Sequence, residues 1–194
     1  IETDRRRIRS QMAKIRSQLR TMDRTRATQR HARQRSGVPM VALAGYTNAG
    51  KSSLLNRLTG SGVLVDDSLF ATLDPTVRKV RTPGGRDITV SDTVGFVRHL
   101  PHELVEAFRS TLEEIRDADV IVHVVDGSDE VPREQIAAVR EVLSQIDAGD
   151  VPEIIAINKA DVAEQNVTAE VLRHEPHAVL VSARSGLGIG ELLA

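Results

Sequence analysis

Gly45-Tyr46-Thr47-Asn48-Ala49-Gly50-Lys51-Ser52 decides how the rest of this 194-residue chain is read. In the pattern G-x-x-x-x-G-K-S, two glycines let the backbone turn its N–H groups onto an anion. A helix opening at Lys51 adds its positive end. The flanks fit that geometry: Met40–Ala44 is an apolar run of strand length, and residues 51–59 carry a helical pattern. Lys51 is therefore expected to reach the outer phosphates of a nucleotide, with Ser52 on Mg²⁺ and Ser53 beside it.

Working outward, short apolar runs alternate with helical stretches. Val77–Thr82 and Arg86–Ser91 flank Pro83-Gly84-Gly85 as a hairpin. A helix is expected at 102–116, after Pro101, with Glu103, Glu106, Glu113 and Glu114 on a solvated face. Val120–Val125, Ile154–Ile157 and Ala178–Val181 read as buried strands, Pro132–Gln145 and Thr168–His174 as helices. The expected fold is α/β: a three-layer sandwich around a mostly parallel six-stranded sheet with one antiparallel strand. A basic helical arm precedes it.

Two further motifs stand where strands end. Asp92-Thr93-Val94-Gly95 follows the second hairpin strand; Asp92 would hold Mg²⁺ through water and the Gly95 N–H would meet a γ-phosphate. Asn158-Lys159-Ala160-Asp161 follows Ile154–Ile157. The Asp161 carboxylate can accept both N1–H and N2–H of guanine, a donor pair that adenine lacks. The stem of Lys159 would lie over the base, Asn158 would brace the loops, and Ser182-Ala183 would offer backbone N–H groups to guanine O6. In the loop Phe70-Ala71-Thr72-Leu73-Asp74-Pro75-Thr76, either threonine could complete the Mg²⁺ shell. These motifs in this order point to a guanine-nucleotide switch.

Hydrolysis is expected to be unusual. Where Ras-type enzymes carry a water-orienting glutamine after D-x-x-G, this chain has Phe96, which cannot do that work. Turnover must use another polar group, a partner or a second cation, or be slow until a partner docks. Asn48 is a candidate K⁺ ligand beside the phosphates, where the ion would offset charge. Lys51, Thr72, Gly95 and Asn48 form the catalytic set. The six histidines, His31, His99, His102, His123, His174 and His177, make no metal-binding pattern.

Charge divides the chain. Residues 1–37 carry 12 of the 26 lysines and arginines against three acids, a net +9, whereas the remainder sums to −10. Within the arm, assigned to 1–36, Ile8, Met12, Ile15, Leu19 and Met22 form a heptad seam that needs a partner helix. The second unit is assigned to 37–194. Arg5, Arg6, Arg7, Arg9, Arg16, Arg20, Arg24, Arg26, Arg30, Arg33 and Arg35 are candidate RNA contacts. With no aromatic residue in the arm, such contacts would be phosphate-directed and salt-sensitive. The absence of cysteine excludes a disulfide scaffold and fits a reducing cytosol. No apolar stretch is long enough to span a bilayer. Starting at Ile1 and stopping within an apparent helix start at Ala194, the sequence reads as an excerpt of a longer protein.

The loop 70–76 and the run 92–114, together with Ile1-Glu2-Thr3-Asp4-Arg5-Arg6, resemble the HflX family of translational P-loop GTPases. That resemblance favours Thr72, with Ser52, on the metal. It implies Mg²⁺-GTP binding at Gly45, Tyr46, Thr47, Asn48, Ala49, Gly50, Lys51, Ser52 and Ser53, at Phe70, Ala71, Thr72, Leu73 and Asp74, at Asp92, Thr93, Val94 and Gly95, at Asn158, Lys159, Ala160 and Asp161, and at Ser182, Ala183 and Arg184. It also implies a cytoplasmic protein, monomeric when free, that docks on the large ribosomal subunit and its RNA and splits or rescues stalled or idle ribosomes. Most of that family's N-terminal domain is absent, which bears on splitting by this fragment alone. The rival readings are a nucleic-acid-binding scaffold with structural nucleotide and negligible turnover, slightly favoured by Phe96, and an ATP-using phosphotransferase, disfavoured by Asp161.

Overall fold

A computed structural model of the chain describes residues 37–60, 77–93, 95–96 and 109–194. The chain divides into two units, Ile1–Val38 and Pro39–Ala194. The expected arm, its seam and its arginines lie outside the described residues, as do Phe70, Ala71, Thr72, Leu73, Asp74, Val94 and the start of the helix expected at 102.

Within the second unit the strands are β1 (Met40–Gly45), β2 (Val77–Arg81), β3 (Asp87–Asp92), β4 (Val120–Asp126), β5 (Glu153–Asn158) and β6 (Val179–Leu180). They form one sheet in the order β2-β3-β1-β4-β5-β6. Among the described strands only β2 runs antiparallel, paired with β3 through the hairpin at Thr82–Arg86, where the Thr82 N–H donates to the Arg86 carbonyl at 2.9 Å. The helices are α1 (Lys51–Thr59), α2 (Arg109–Arg116), α3 (Pro132–Gln145), α4 (Gln165–His174) and α5 (Ile189–Leu192).

Period-two alternation in the strands builds two cores. Leu43, Val90, Val122, Val124 and Ala156 face α1 and α5, burying Leu54 and Leu55. Ala42, Ala44 and Ile121 face the other way onto Leu112, Ile115, Val139 and Leu143 of α2 and α3, and Val125, Ile155 and Ile157 meet Val171 of α4. The central strands are buried on both faces, which is why they read as continuous apolar runs rather than alternating ones. Because β1, β3, β4 and β5 run parallel, their C-terminal ends share one edge. The loops carrying all three motifs leave from that edge, where open α/β sheets bind ligands.

One expectation fails on α2. Glu114, read as solvated, is 2% exposed and does not lack a partner. It sits one residue from Ile115, on the flank of the stripe that packs on the sheet. A carboxylate so placed has to be satisfied within the protein.

Candidate functional site

The phosphate loop is set by backbone conformation. Gly45 has φ 149° and passes so close to the Val124 carbonyl that a side chain there would collide with β4. Gly50, at φ 90°, is the N-cap of α1 and lies against the Asn158 side-chain amide. Asn48 also takes a left-handed backbone, φ 61°, and is exposed. α1 starts without a side-chain cap and without an acid in its first turn. Its positive end is thus left for an anion.

Lys51 is buried and its Nζ donates to the carbonyls of Gly45 at 3.2 Å and Tyr46 at 2.9 Å. Burial pulls its pKa down to about 8, with the charge of Asp92 pushing the other way. The ammonium therefore lies folded on its own loop and in the field of the carboxylate that ends β3. Ser52 Oγ donates to Asp92 Oδ2 at 2.6 Å. Both are hard oxygen donors, the ligand type that Mg²⁺ takes.

The start of the second motif is locked to the first. The Thr93 hydroxyl donates to the Leu43 carbonyl at 2.6 Å, Phe96 N–H to the Gly45 carbonyl at 3.0 Å, and Thr47 N–H to the Phe96 carbonyl at 2.8 Å. A Cβ on Gly95 would stand 2.9 Å from Thr47 Cα and 3.1 Å from Lys51 Nζ. Phe96 is fully buried among Ala42, Ala44 and Ile115. Its ring is an anchor in the core, so the position after D-x-x-G presents no polar group to the loop.

At the Asn158–Asp161 motif, Asn158 Nδ2 donates to the Ala49 carbonyl at 2.9 Å and its Oδ1 accepts from Ala183 N–H at 3.0 Å. It ties the phosphate loop to the loop after β6. Asp161 is exposed, with Oδ1 accepting from Ser182 Oγ at 2.7 Å. The Ser182 N–H turns inward to the Leu187 carbonyl at 3.0 Å and the Ala183 N–H to Asn158, whereas the expectation assigned both to guanine O6. Ala160 N–H donates to the Val181 carbonyl at 3.1 Å. Exposed Arg184 contributes its carbonyl, which with that of Ala183 receives the Arg57 guanidinium from α1.

Sequence reasoning missed three groups. Arg57 fastens α1 to residues 183–184 and would have been found as the one basic residue in the last turn of α1. Asp126 pairs with Lys159 at 2.6 Å. His123, given no role, is buried with its Nδ1 2.7 Å from Glu153 Oε1, and Glu153 also accepts from Arg140, which forks onto Glu175. Nothing in the local pattern of β4 marks that chain of charges.

A mostly parallel sheet whose C-terminal edge gathers a glycine-rich phosphate loop, an Asp92–Ser52 oxygen pair and an exposed Asp161 is the architecture of P-loop GTPases, and the family model described as "50S ribosome-binding GTPase" matches residues 40–159. The chain is 45% identical to the GTPase HflX of Caldanaerobacter subterraneus over 193 residues, covering 100% of this chain and 44% of that one. It is 44% identical to the GTPase HflX of Escherichia coli over 195 residues, with 99% and 46% covered. A crystal structure of Aquifex aeolicus Era bound to GDP·AlF4⁻ superposes with a TM-score of 0.64 at 25% identity, covering 80% of this chain and 54% of Era. The chain belongs to the HflX family of GTPases, and it spans about half the length of the curated relatives it matches.

Proposed function

We propose that this chain binds and hydrolyses GTP as a switch that engages the large ribosomal subunit. The observation that carries the reading is Asn158, whose amide joins the Ala49 carbonyl of the phosphate loop to the Ala183 N–H of the base loop. One side chain thereby holds the phosphate-binding and base-reading halves in register. Lys51 and the uncapped N-terminus of α1 would take the phosphates, and Asp161 would select guanine by accepting its N1–H and N2–H. Ser52 and Thr72 would hold Mg²⁺ directly and Asp92 through water, and the ion would offset phosphate charge. Gly95 sits tight against Thr47 and Lys51; a γ-phosphate beside Lys51 would be sensed there, ordering residues 70–76 and 92–101, and hydrolysis would release them.

With Phe96 in the core, hydrolysis must use something else: another polar group, a group from the ribosome, or K⁺ held at Asn48, which would offset phosphate charge. Slow turnover until docking follows. The arm, residues 1–36, would supply arginine contacts to ribosomal RNA, and the acting protein would work in the cytoplasm, monomeric until it docks and splits or rescues ribosomes. The burial of Phe96 also favours one other reading, a scaffold whose nucleotide is structural.

Phosphate release measured with and without large ribosomal subunits, in Na⁺ and in K⁺, tests these statements. Stimulation by the subunit supports the switch, and no turnover under any condition supports the scaffold. Equal rates in the two salts remove the role of Asn48. Competition of bound GTP by ATP at comparable concentration would overturn the guanine assignment.

A further inference from the structure

We infer that Asp126, which lies outside every nucleotide-binding motif, is a positioning residue for guanine recognition and acts through Lys159. The inference rests on the guanine reading above and deepens it. Lys159 Nζ donates to Asp126 Oδ2 at 2.6 Å, while Asp126 Oδ1 accepts from both the backbone N–H of Ser128 at 2.9 Å and its hydroxyl at 2.6 Å. Both carboxylate oxygens are thus fixed, and the Asp126 side chain is 14% exposed. Asp126 faces Asn158 in the β4–β5 register, and Gly127 N–H donates to the Asn158 carbonyl at 2.8 Å. A Cβ on Gly127 would stand 2.9 Å from that same carbonyl oxygen. The turn 126–128 is therefore built directly against the start of the base-reading loop.

Lys159 needs such a tether. Its backbone is left-handed, φ 61°, a conformation unfavourable for a residue with a Cβ, and its side chain has more rotamer freedom to lose than almost any other. A lysine used as a wall for a purine ring must present its stem in one rotamer. Ion pairing of the ammonium to a carboxylate that is itself held by two donors achieves that before the base arrives, which lowers the ordering cost at binding. Because the stem meets the ring face rather than its edge, this effect does not depend on the 2-amino group, whereas recognition by Asp161 does.

The test is dissociation of fluorescently labelled GDP, and its competition by GDP, IDP and ADP, for the whole chain and for Asp126→Asn, Ser128→Ala, Lys159→Ala and the Asp126→Asn/Lys159→Ala double variant. Asp126→Asn is expected to release GDP about tenfold faster, Ser128→Ala two- to threefold faster, and the double variant no faster than the faster single one, as required of residues acting as a unit. The GDP/IDP ratio is expected to stay at the wild-type value. Effects that multiply in the double variant, unchanged release from both Asp126→Asn and Ser128→Ala, or a collapsed GDP/IDP ratio would each overturn the inference. Should Asp126→Asn not fold, Ser128→Ala decides alone, unchanged release counting against. A wild-type chain that does not prefer GDP to ADP removes the guanine reading itself, and this inference with it.

Discussion

Ser52 Oγ and Asp92 Oδ2 stand 2.6 Å apart, a hydrogen bond that joins the first turn of α1 to the end of β3 across 40 residues of sequence. Asp92 is 2% exposed, so its charge needs each donor it has. Ser52→Ala is expected to destabilise the nucleotide-free protein by about 1–3 kcal/mol and to weaken the Mg²⁺ dependence of GTP binding. Urea unfolding and a Mg²⁺ titration of nucleotide affinity check the two effects separately; wild-type Mg²⁺ dependence would remove Ser52 from the metal.

Lys51 pulls function and stability apart. At neutral pH its ammonium is buried at a cost that shows as a pKa drawn down to about 8. Lys51→Met keeps the stem and removes the charge. It is expected to raise the melting temperature of the empty protein or leave it unchanged while lowering GTP affinity at least a hundredfold, the usual trade at a functional site. Retained GTP affinity in this variant would refute the phosphate cradle.

Asp161 is exposed and held by Ser182 Oγ at one oxygen. Asn at this position would keep an oxygen for N1–H but replace the acceptor for the 2-amino group by an N–H donor. That donor suits xanthine, which carries O2 there. Asp161→Asn is therefore expected to lose GDP affinity by about a hundredfold or more and to gain XDP binding. Calorimetric titration with both diphosphates reads the exchange, and an unchanged preference for guanine would mean that another group reads the base.

Glu153 sets an acid limit on stability. Burial alone would raise its carboxyl pKa, but hydrogen bonds from His123 and Arg140, with the charge on each, bring it below the ordinary 4.5. A folded-state value below the unfolded one means the stabilisation is fully present above about pH 4.5 and is lost as pH falls through the folded value. Glu153→Gln is expected to flatten the fall in urea midpoint between pH 5 and pH 3. An acid limb with the wild-type slope would show that this carboxylate does not carry it.

Legibility followed the range of the forces involved. The bounds of α1 and α3 agree with the apolar period in the sequence, because Gly50 and Pro132 mark both starts chemically. α4 begins at Gln165 rather than Thr168; its first residues, Gln165 and Asn166, are exposed and carry no apolar period to read. Glu114 and His123 were misjudged or passed over for one reason. Each lies in a segment whose own pattern is ordinary, and only the elements packed around it decide whether it meets water or a partner.

What the sequence by itself determined is the phosphate loop: glycine spacing, a strand before and a helix after act within a turn or two of chain, so Gly45 to Ser52 dictate their own conformation. Strand type and helix type followed from local periodicity in the same way. The tertiary structure alone decided that Asn158 would reach the Ala49 carbonyl, 109 residues away, that Asp126 would hold Lys159, and that Phe96 would serve the core. Those contacts depend on which strands become neighbours in the sheet, a choice made by burying the whole apolar surface at once and therefore not written in any single segment.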